Sequence, residues 1–441
     1  MPSSPRGPVL YWGFTTHDLS EAVQAILRPD DLWVGKNSRC QYSIIDFLEF
    51  RLERLTLPVP LQQSELTFGP ELTQSIYATM QRELIGWQTG QVEKQQLLRF
   101  YQRWFVTLLK HYQIQQIWFA YIPHEGASLI IYAVAQALGI RTRMFYQSLM
   151  VNRTFLIERI EDMGKLPQHA GQWRPFADTI TFGKPEQDLF YMRTLPPVVS
   201  QLRFGWRSFW PRLKAKLRGK IAHIGVIAIA ARLAQRRQWL AMQARMQWDS
   251  TESFANKAFV YVPLHLQPEL TTDPLGGKYG DQALFIEMLR LKLPPDIAIV
   301  IKENPKQEFE SRSQFFWQRL RRLPETYVVD PGVNTYFLLH QSAAVATITG
   351  TAGWEGVLAG KPVVVGGAAW YQDLPGVWQL DELPEWQNLM KFKADFTLTR
   401  NALDCLASSM PEVVADPDYQ TIHPEYESHA NQLKLREILQ S

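Results

Sequence analysis

Thr349-Gly350-Thr351-Ala352-Gly353-Trp354-Glu355 interrupts two apolar runs in the C-terminal half of the chain, AAVATI before it and KPVVV after it. Gly350 and Gly353 permit a tight turn and a close backbone approach. A helix starting near Gly353 would aim free N–H groups and the positive end of its dipole outward, an arrangement that holds phosphate. Thr349 and Thr351 add hydroxyl donors. Glu355, read in the first helical turn, offers a carboxylate that can accept from ribose hydroxyls. The same residues also read as an ordinary helix start, with a Thr cap, a Gly turn and an acidic first turn. The stretch is neither a Walker loop, since no Lys-Ser/Thr follows, nor a GxGxxG fingerprint.

Other residues of this kind sit at comparable breaks. Lys302 closes the apolar run IAIVI, where it can act as a point charge against phosphate; a solvated strand-end lysine is the plainer alternative. Asn304 can donate from its amide, and Pro305 fixes the turn. His265 and Gln267 alternate in HLQPE and so share a side. In the N-terminal half, His124 and Glu125 follow AYIP, and His17 and Asp18 follow GFTT. His124, Glu125 and His17 are candidate general bases, the histidines by their pKa and the acids by their charge, with loop hydrogen bonding as the alternative. No HExxH, paired-Cys cluster or GxSxG elbow is present, so no catalytic metal is expected. Asp416 and Asp418 form a DxD in a Pro-containing segment, which reads as a turn.

Strands must present these residues. PVLYWGF (8–14) and QIWFAYI (116–122) read as buried strands. A helix follows the second, ends at Gly139 and leads into the strand Arg141–Gln147. That is a strand–helix–strand unit of a parallel sheet. Residues 46–109 are mainly helical and amphipathic. From Phe254 the pattern alternates strand and helix through AFVYVPL, DQALFIEMLRLKL, IAIVIKENP, TYVVDPG, NTYFLLHQS, AAVATI and KPVVV, with Asp281 and Asn334 as helix caps. Ligands of such sheets bind at the carboxyl ends of strands, and the polar breaks fall there.

The 441 residues suit two domains. Hydrophobic residues make up 46% and charged residues 20%, as in ordinary globular proteins, and the net charge of +3 gives no whole-molecule field for nucleic acid. The two cysteines, Cys40 and Cys405, form neither a disulfide framework nor zinc spacing and suit a reducing compartment. The start lacks a signal-peptide pattern, and no apolar run approaches the roughly 20 residues of a membrane span. A cytoplasmic location is expected. Residues 203–237 are basic and aromatic, with no acidic residue. They read either as a solvated basic helix beside a buried one or as a peripheral contact with the inner face of the cytoplasmic membrane.

YVPLHLQPELTTDPLGGKYGDQ, IVIKENPKQ, NTYFLLHQSAAVATITGTAGWEGVLAGKPVVVGGAAWY and the earlier YIPHEGASLIIYAVAQALGIRTRMFYQS together resemble the capsule polysaccharide biosynthesis family, which includes bacterial β-Kdo transferases. The resemblance is clearest over residues 254–372. It implies an α/β chain of two Rossmann-like doubly wound domains facing a cleft, as in GT-B glycosyltransferases. The expected divisions are an acceptor-side domain at 1–200, a basic helical linker at 201–253, a nucleotide-sugar domain at 254–400 and a helical tail at 401–441. The implied activity is metal-independent transfer of a sugar from a nucleotide-sugar to a glycan or glycolipid acceptor, with no further cofactor. Related transferases that use a CMP-sugar carry a His-Pro pair where this chain has Asn304-Pro305, and a CMP-sugar is one donor left open. The donor-binding set is then His265, Gln267, Lys302, Asn304, Thr349, Gly350, Thr351, Gly353 and Glu355. A nucleotide-sugar epimerase and a non-catalytic capsule assembly or export protein are the alternatives.

Overall fold

The computed structural model describes residues 7–64, 66–84, 89–150, 152–167, 180–183, 234, 237–238, 241–242, 246–267, 269–305, 307, 312–422 and 426–441. The basic stretch 203–237 lies outside the described residues apart from 234 and 237.

The chain forms two compact units, 1–163 with 409–441, and 164–408. The first boundary thus falls after Met163, against an expected first domain of 1–200. The expected tail is divided, 401–408 going to the second unit and 409–441 to the first.

The first unit carries β1 (Val9–Trp12), β2 (Leu32–Gly35), β3 (Tyr42–Ser43), β4 (Gln116–Phe119), β5 (Arg141–Gln147) and β6 (Thr154–Ile157) in the order β3-β2-β1-β4-β5-β6. All pairs are parallel except β5 with β6, which the short 148–153 connection turns antiparallel. Its helices are α1 (His17–Ile26), α2 (Ile44–Leu48), α3 (Pro70–Glu83), α4 (Gln91–His111) and α5 (Gly126–Ala137).

The second unit carries β7 (Phe259–Pro263), β8 (Ala298–Lys302), β9 (Thr326–Val329), β10 (Ala344–Thr347), β11 (Val363–Val365) and β12 (Val377–Gln379) in the order β12-β11-β10-β7-β8-β9. Every pair is parallel. Its helices are α6 (Gln282–Lys292), α7 (Gln314–Arg321), α8 (Thr335–Gln341), α9 (Thr351–Leu358), α10 (Trp386–Leu389) and α11 (Phe396–Ser408); α12 (Ser428–Gln440) closes the chain within the first unit. The predicted caps are in place: Asp281 accepts from Ala283 N–H at 3.0 Å, and Asn334 from Phe337 N–H at 3.0 Å.

Helices cover both faces of the second sheet, so its strands are apolar on both sides. Val260, Val262, Ile299, Ile301, Ala344 and Ala346 pack under α6 and α7. Tyr261, Val300, Val329 and Val345 point the other way, under Leu338 and Leu339 of α8. This alternation assigns Lys302 to the α8 face, because it lies two residues beyond Val300.

The first unit recruits the end of the chain into its core. Val413, Ala415, Leu435 and Leu439 pack with Val9, Tyr11, Trp33 and Trp118. Asp18, at the start of α1, clasps the returning segment: Ser428 Oγ (2.6 Å), Asn431 Nδ2 (2.8 Å), Gln432 Nε2 (3.2 Å) and the Tyr426 hydroxyl all donate to it. Burial pushes this carboxyl up, but the donors outweigh it and bring the pKa down from 3.8 to about 2. A depressed acid stabilises the fold fully above its unfolded value and loses that contribution as pH falls through its folded value. Asp18→Ala should therefore cost about 2–3 kcal/mol in urea unfolding at pH 7, with the gap to wild type narrowing below about pH 4. A gap that stays constant with pH would refute the clasp.

Candidate functional site

In the second sheet the winding reverses between β7 and β10, which are paired through Val260–Ala344 and Tyr261–Val345. Connections leave in opposite directions there, so the carboxyl ends open a crevice at this point. The loops after β7 and β10 flank it.

Hydrogen bonds knit the strand tips together. The Thr349 hydroxyl donates to the Thr271 carbonyl after β7. Gly366 N–H reaches Thr347 O at 3.0 Å, Gly367 N–H reaches Ile348 O at 3.0 Å, and Ala368 N–H reaches Leu275 O at 2.8 Å, so the β7, β10 and β11 tips form one surface. The β8 tip joins through a buried ion pair. Arg312 Nε lies 2.8 Å from Glu303 Oε2, both side chains are 0% exposed, and Arg312 Nη2 donates to His265 O at 2.7 Å. Burial pushes the Glu303 carboxyl up, against the pull of Arg312.

His265 and Gln267, read as ligand contacts, belong to the framework instead. His265 Nε2 accepts from Ile348 N–H at 3.1 Å and lies 2.6 Å from Thr347 Oγ1. An accepting Nε2 places the ring proton on Nδ1. Burial, reinforced by Arg312, lowers the imidazole pKa to about 3, so His265 is a neutral pin holding the β10 turn. The ring leaves no room at Gly350, where a Cβ would come within 2.8 Å of His265 Cε1. Gln267 donates to Gly280 O (2.6 Å) and Asp273 Oδ1 (3.1 Å) and accepts from Gln282 Nε2 (2.9 Å) and Arg312 Nη1 (3.2 Å). Its amide is already committed on both sides.

The helix expected near Gly353 begins two residues earlier, at Thr351, with Gly350 as N-cap. Its first N–H groups, on Thr351 and Ala352, donate to no group among the described residues, and both residues are half-buried at the rim. Gly353 is committed to packing, since a Cβ there would meet the Tyr371 hydroxyl at 2.2 Å. That hydroxyl in turn donates to Gly350 O. Asn304 is half-buried at the tip of β8, where its N–H donates to Glu303 Oε1 at 2.7 Å.

The reading of Glu355 and the plainer alternative for Lys302 need correction. Glu355 is the fifth residue of α9 rather than part of its first turn, and it is 1% exposed. A helix turns about 100° per residue, so this position faces the sheet and not a ribose at the rim. Lys302 is not solvated: it is 6% exposed, and its Nζ lies 3.1 Å from Thr335 Oγ1. Burial lowers its pKa, opposed by Asp330, Glu303 and Glu355. Thr335 also hydrogen-bonds Tyr261. Tyr261 and Lys302 of the sheet, the half-buried Thr335 of α8 and the buried Glu355 of α9 thus form a polar cluster. Reading the sequence missed Tyr261, Thr335, Glu303, Arg312 and Tyr371; the break at ENP was the one local signal near Glu303.

In the first unit the strand-tip residues are partly occupied. His124 Nδ1 donates to Ile122 O at 2.7 Å after β4. Glu125 precedes α5, where its N–H meets Ser128 Oγ at 3.0 Å. Glu83 fills the head of that helix by accepting from Gly126 N–H at 3.0 Å. His17 opens α1 with a 76% exposed side chain, 3.2 Å from Asp18. Among the described residues, no group of three or more His, Cys, Asp or Glu could hold a metal, and no helix is long and apolar enough to cross a membrane.

Residues 224–410, which contain the second sheet and its tips, match the family model described as capsule polysaccharide biosynthesis protein. No curated protein matches the sequence. Among solved structures, the chain is similar to the Thermosulfurimonas dismutans KpsC β-Kdo 2,7 transferase, at 12% identity and a TM-score of 0.33, over 80% of this chain and 98% of that one. The β-Kdo 2,4 transferase of the same KpsC gives 12% identity and 0.30, over 67% and 79%. The Methanocaldococcus jannaschii UDP-GlcNAc 2-epimerase gives 12% and 0.21, over 99% and 100%.

Proposed function

We propose that this chain is a glycosyltransferase of capsule polysaccharide biosynthesis, moving a sugar from a nucleotide-sugar donor to a glycan or glycolipid acceptor of a surface polysaccharide. The observation that carries the reading is the head of α9. Two N–H groups with no acceptor among the described residues stand at the switch point of a Rossmann-ordered sheet, inside the segment that matches the family model. Lys302 ends the strand two places away, about 10 Å across the sheet at ordinary strand spacing. The helix dipole, the two N–H groups and the lysine suit a diphosphate or phosphate leaving group, whose growing charge they would stabilise. The general base is to be sought at the first unit's strand tips, at His124, Glu125 or His17. Residues 203–237 would bring the enzyme to anionic lipid bearing its acceptor.

The test is a thermal-shift panel of CMP-, UDP- and GDP-sugars. One class should raise the melting temperature, since a ligand at 100 times its Kd adds about 2.7 kcal/mol. Thr351→Pro should abolish the shift while leaving the unliganded protein as stable as before. Proline suits a first helical position, and Gly350 at φ −73° and ψ 159° tolerates a following proline. Thr351→Ala separates loss of the hydroxyl from loss of the N–H. A Thr351→Pro protein that binds like wild type would sink the reading, and donor turnover without acceptor would favour an epimerase.

A further inference from the structure

Glu355 Oε2 is buried and makes no hydrogen bond among the described residues. Such an oxygen is costly to keep, particularly when ionised. The charged and titratable groups that face it are Lys302 at the end of β8 and Tyr261 on β7. Lys302 in turn sees Glu355, Glu303 and Asp330. Glu303 is held by Arg312, and Asp330 is exposed, leaving Glu355 as the buried counter-charge of the lysine. Glu355 itself is too deeply placed to touch a ligand at the rim.

We infer that Glu355 is a positioning residue that acts through Lys302: when an anionic phosphate docks on the lysine, the Glu355 carboxylate takes up one proton from solvent and frees the lysine's charge for the ligand. The step balances as carboxylate plus proton giving carboxyl, with Lys302 remaining an ammonium. It rests on the reading of this site as a phosphate site. Two negative groups would otherwise share one buried lysine, and the pair relieves the conflict most easily by protonating the acid. Burial already raises the Glu355 pKa from 4.5 to about 7, against the pull of Lys302, so the proton is within reach near neutral pH. Tyr261 is pushed up by burial and stays neutral there.

The experiment is calorimetric titration of the full chain with inorganic pyrophosphate, and with the nucleotide-sugars of the panel, in two buffers of different ionisation enthalpy. Wild type should take up a fraction of a proton per ligand at pH 7.5, and its affinity should rise roughly tenfold from pH 8 to pH 6. Glu355→Gln, a neutral mimic of the protonated acid, should show no uptake and hold the wild-type low-pH affinity at pH 8. Lys302→Met should lose binding at every pH. A purely structural Glu355 would leave the pH slope in place in the Gln variant, which would overturn the inference. Pyrophosphate binding with uptake but no nucleotide-sugar binding would support the inference and refute the transferase reading. Binding without uptake would do the reverse, and absence of binding by pyrophosphate and the whole panel would overturn both.

Discussion

Arg312→Met should lower the unfolding free energy by about 3–5 kcal/mol, the largest loss expected from a single substitution near the site. The reason is the partner left behind. Glu303 is 0% exposed, and its Oε2 takes the Arg312 Nε at 2.8 Å. Without the guanidinium, the carboxyl must either stay charged in an apolar setting or take a proton. The His265 carbonyl and the Gln267 amide oxygen also lose donors, so the loop after β7 should loosen from the tip of β8. Replacing both partners, in Glu303→Gln with Arg312→Met, should recover most of the stability, because a neutral pair leaves no uncompensated charge. Urea unfolding of the single and double variants checks this. A double variant as unstable as Arg312→Met alone would show that packing, and not charge, sets the loss.

Glu355→Gln should move stability the other way. The folded chain holds the Glu355 proton more tightly than the unfolded chain, with a pKa raised from 4.5 to about 7. For a raised acid the native state binds the extra proton between these values, so stability falls as pH rises through that window and stays reduced above it. The shift corresponds to about 3 kcal/mol at pH 8. Glutamine removes that penalty and keeps the shape. The variant should gain little over wild type at pH 5 and about 3 kcal/mol at pH 8, read from urea midpoints at both values. A gain independent of pH would mean that the carboxyl does not titrate in the fold.

The periodic apolar runs of the second half were legible because strands buried on both faces read as continuous Val and Ile. The alternation of strand and helix from Phe259 to Val365 and the caps Asp281 and Asn334 followed from local chemistry. So did the break at Thr349–Gly353 as a strand-to-helix turn. The strands β2, β3, β6 and β12 were not legible, since each stands outside an apolar run as long as those that mark the recognised strands. The return of 409–441 to the first unit left no local mark either, because Asp18 and its donors are separated by about four hundred residues.

By itself, then, the sequence determined an α/β chain with mostly parallel sheets, the resemblance of its 224–410 segment to capsule polysaccharide biosynthesis proteins, and the strand tips where polar chemistry gathers. The tertiary structure alone decided which of those polar residues point inward. His265, Gln267 and Glu355 have the types of a binding set, yet the folded chain uses the first two as framework and buries the third beside Lys302. Residue type and spacing report what a side chain can do. Burial, and the partner it finds across the fold, decide its charge and direction, and both depend on contacts between segments far apart in the chain.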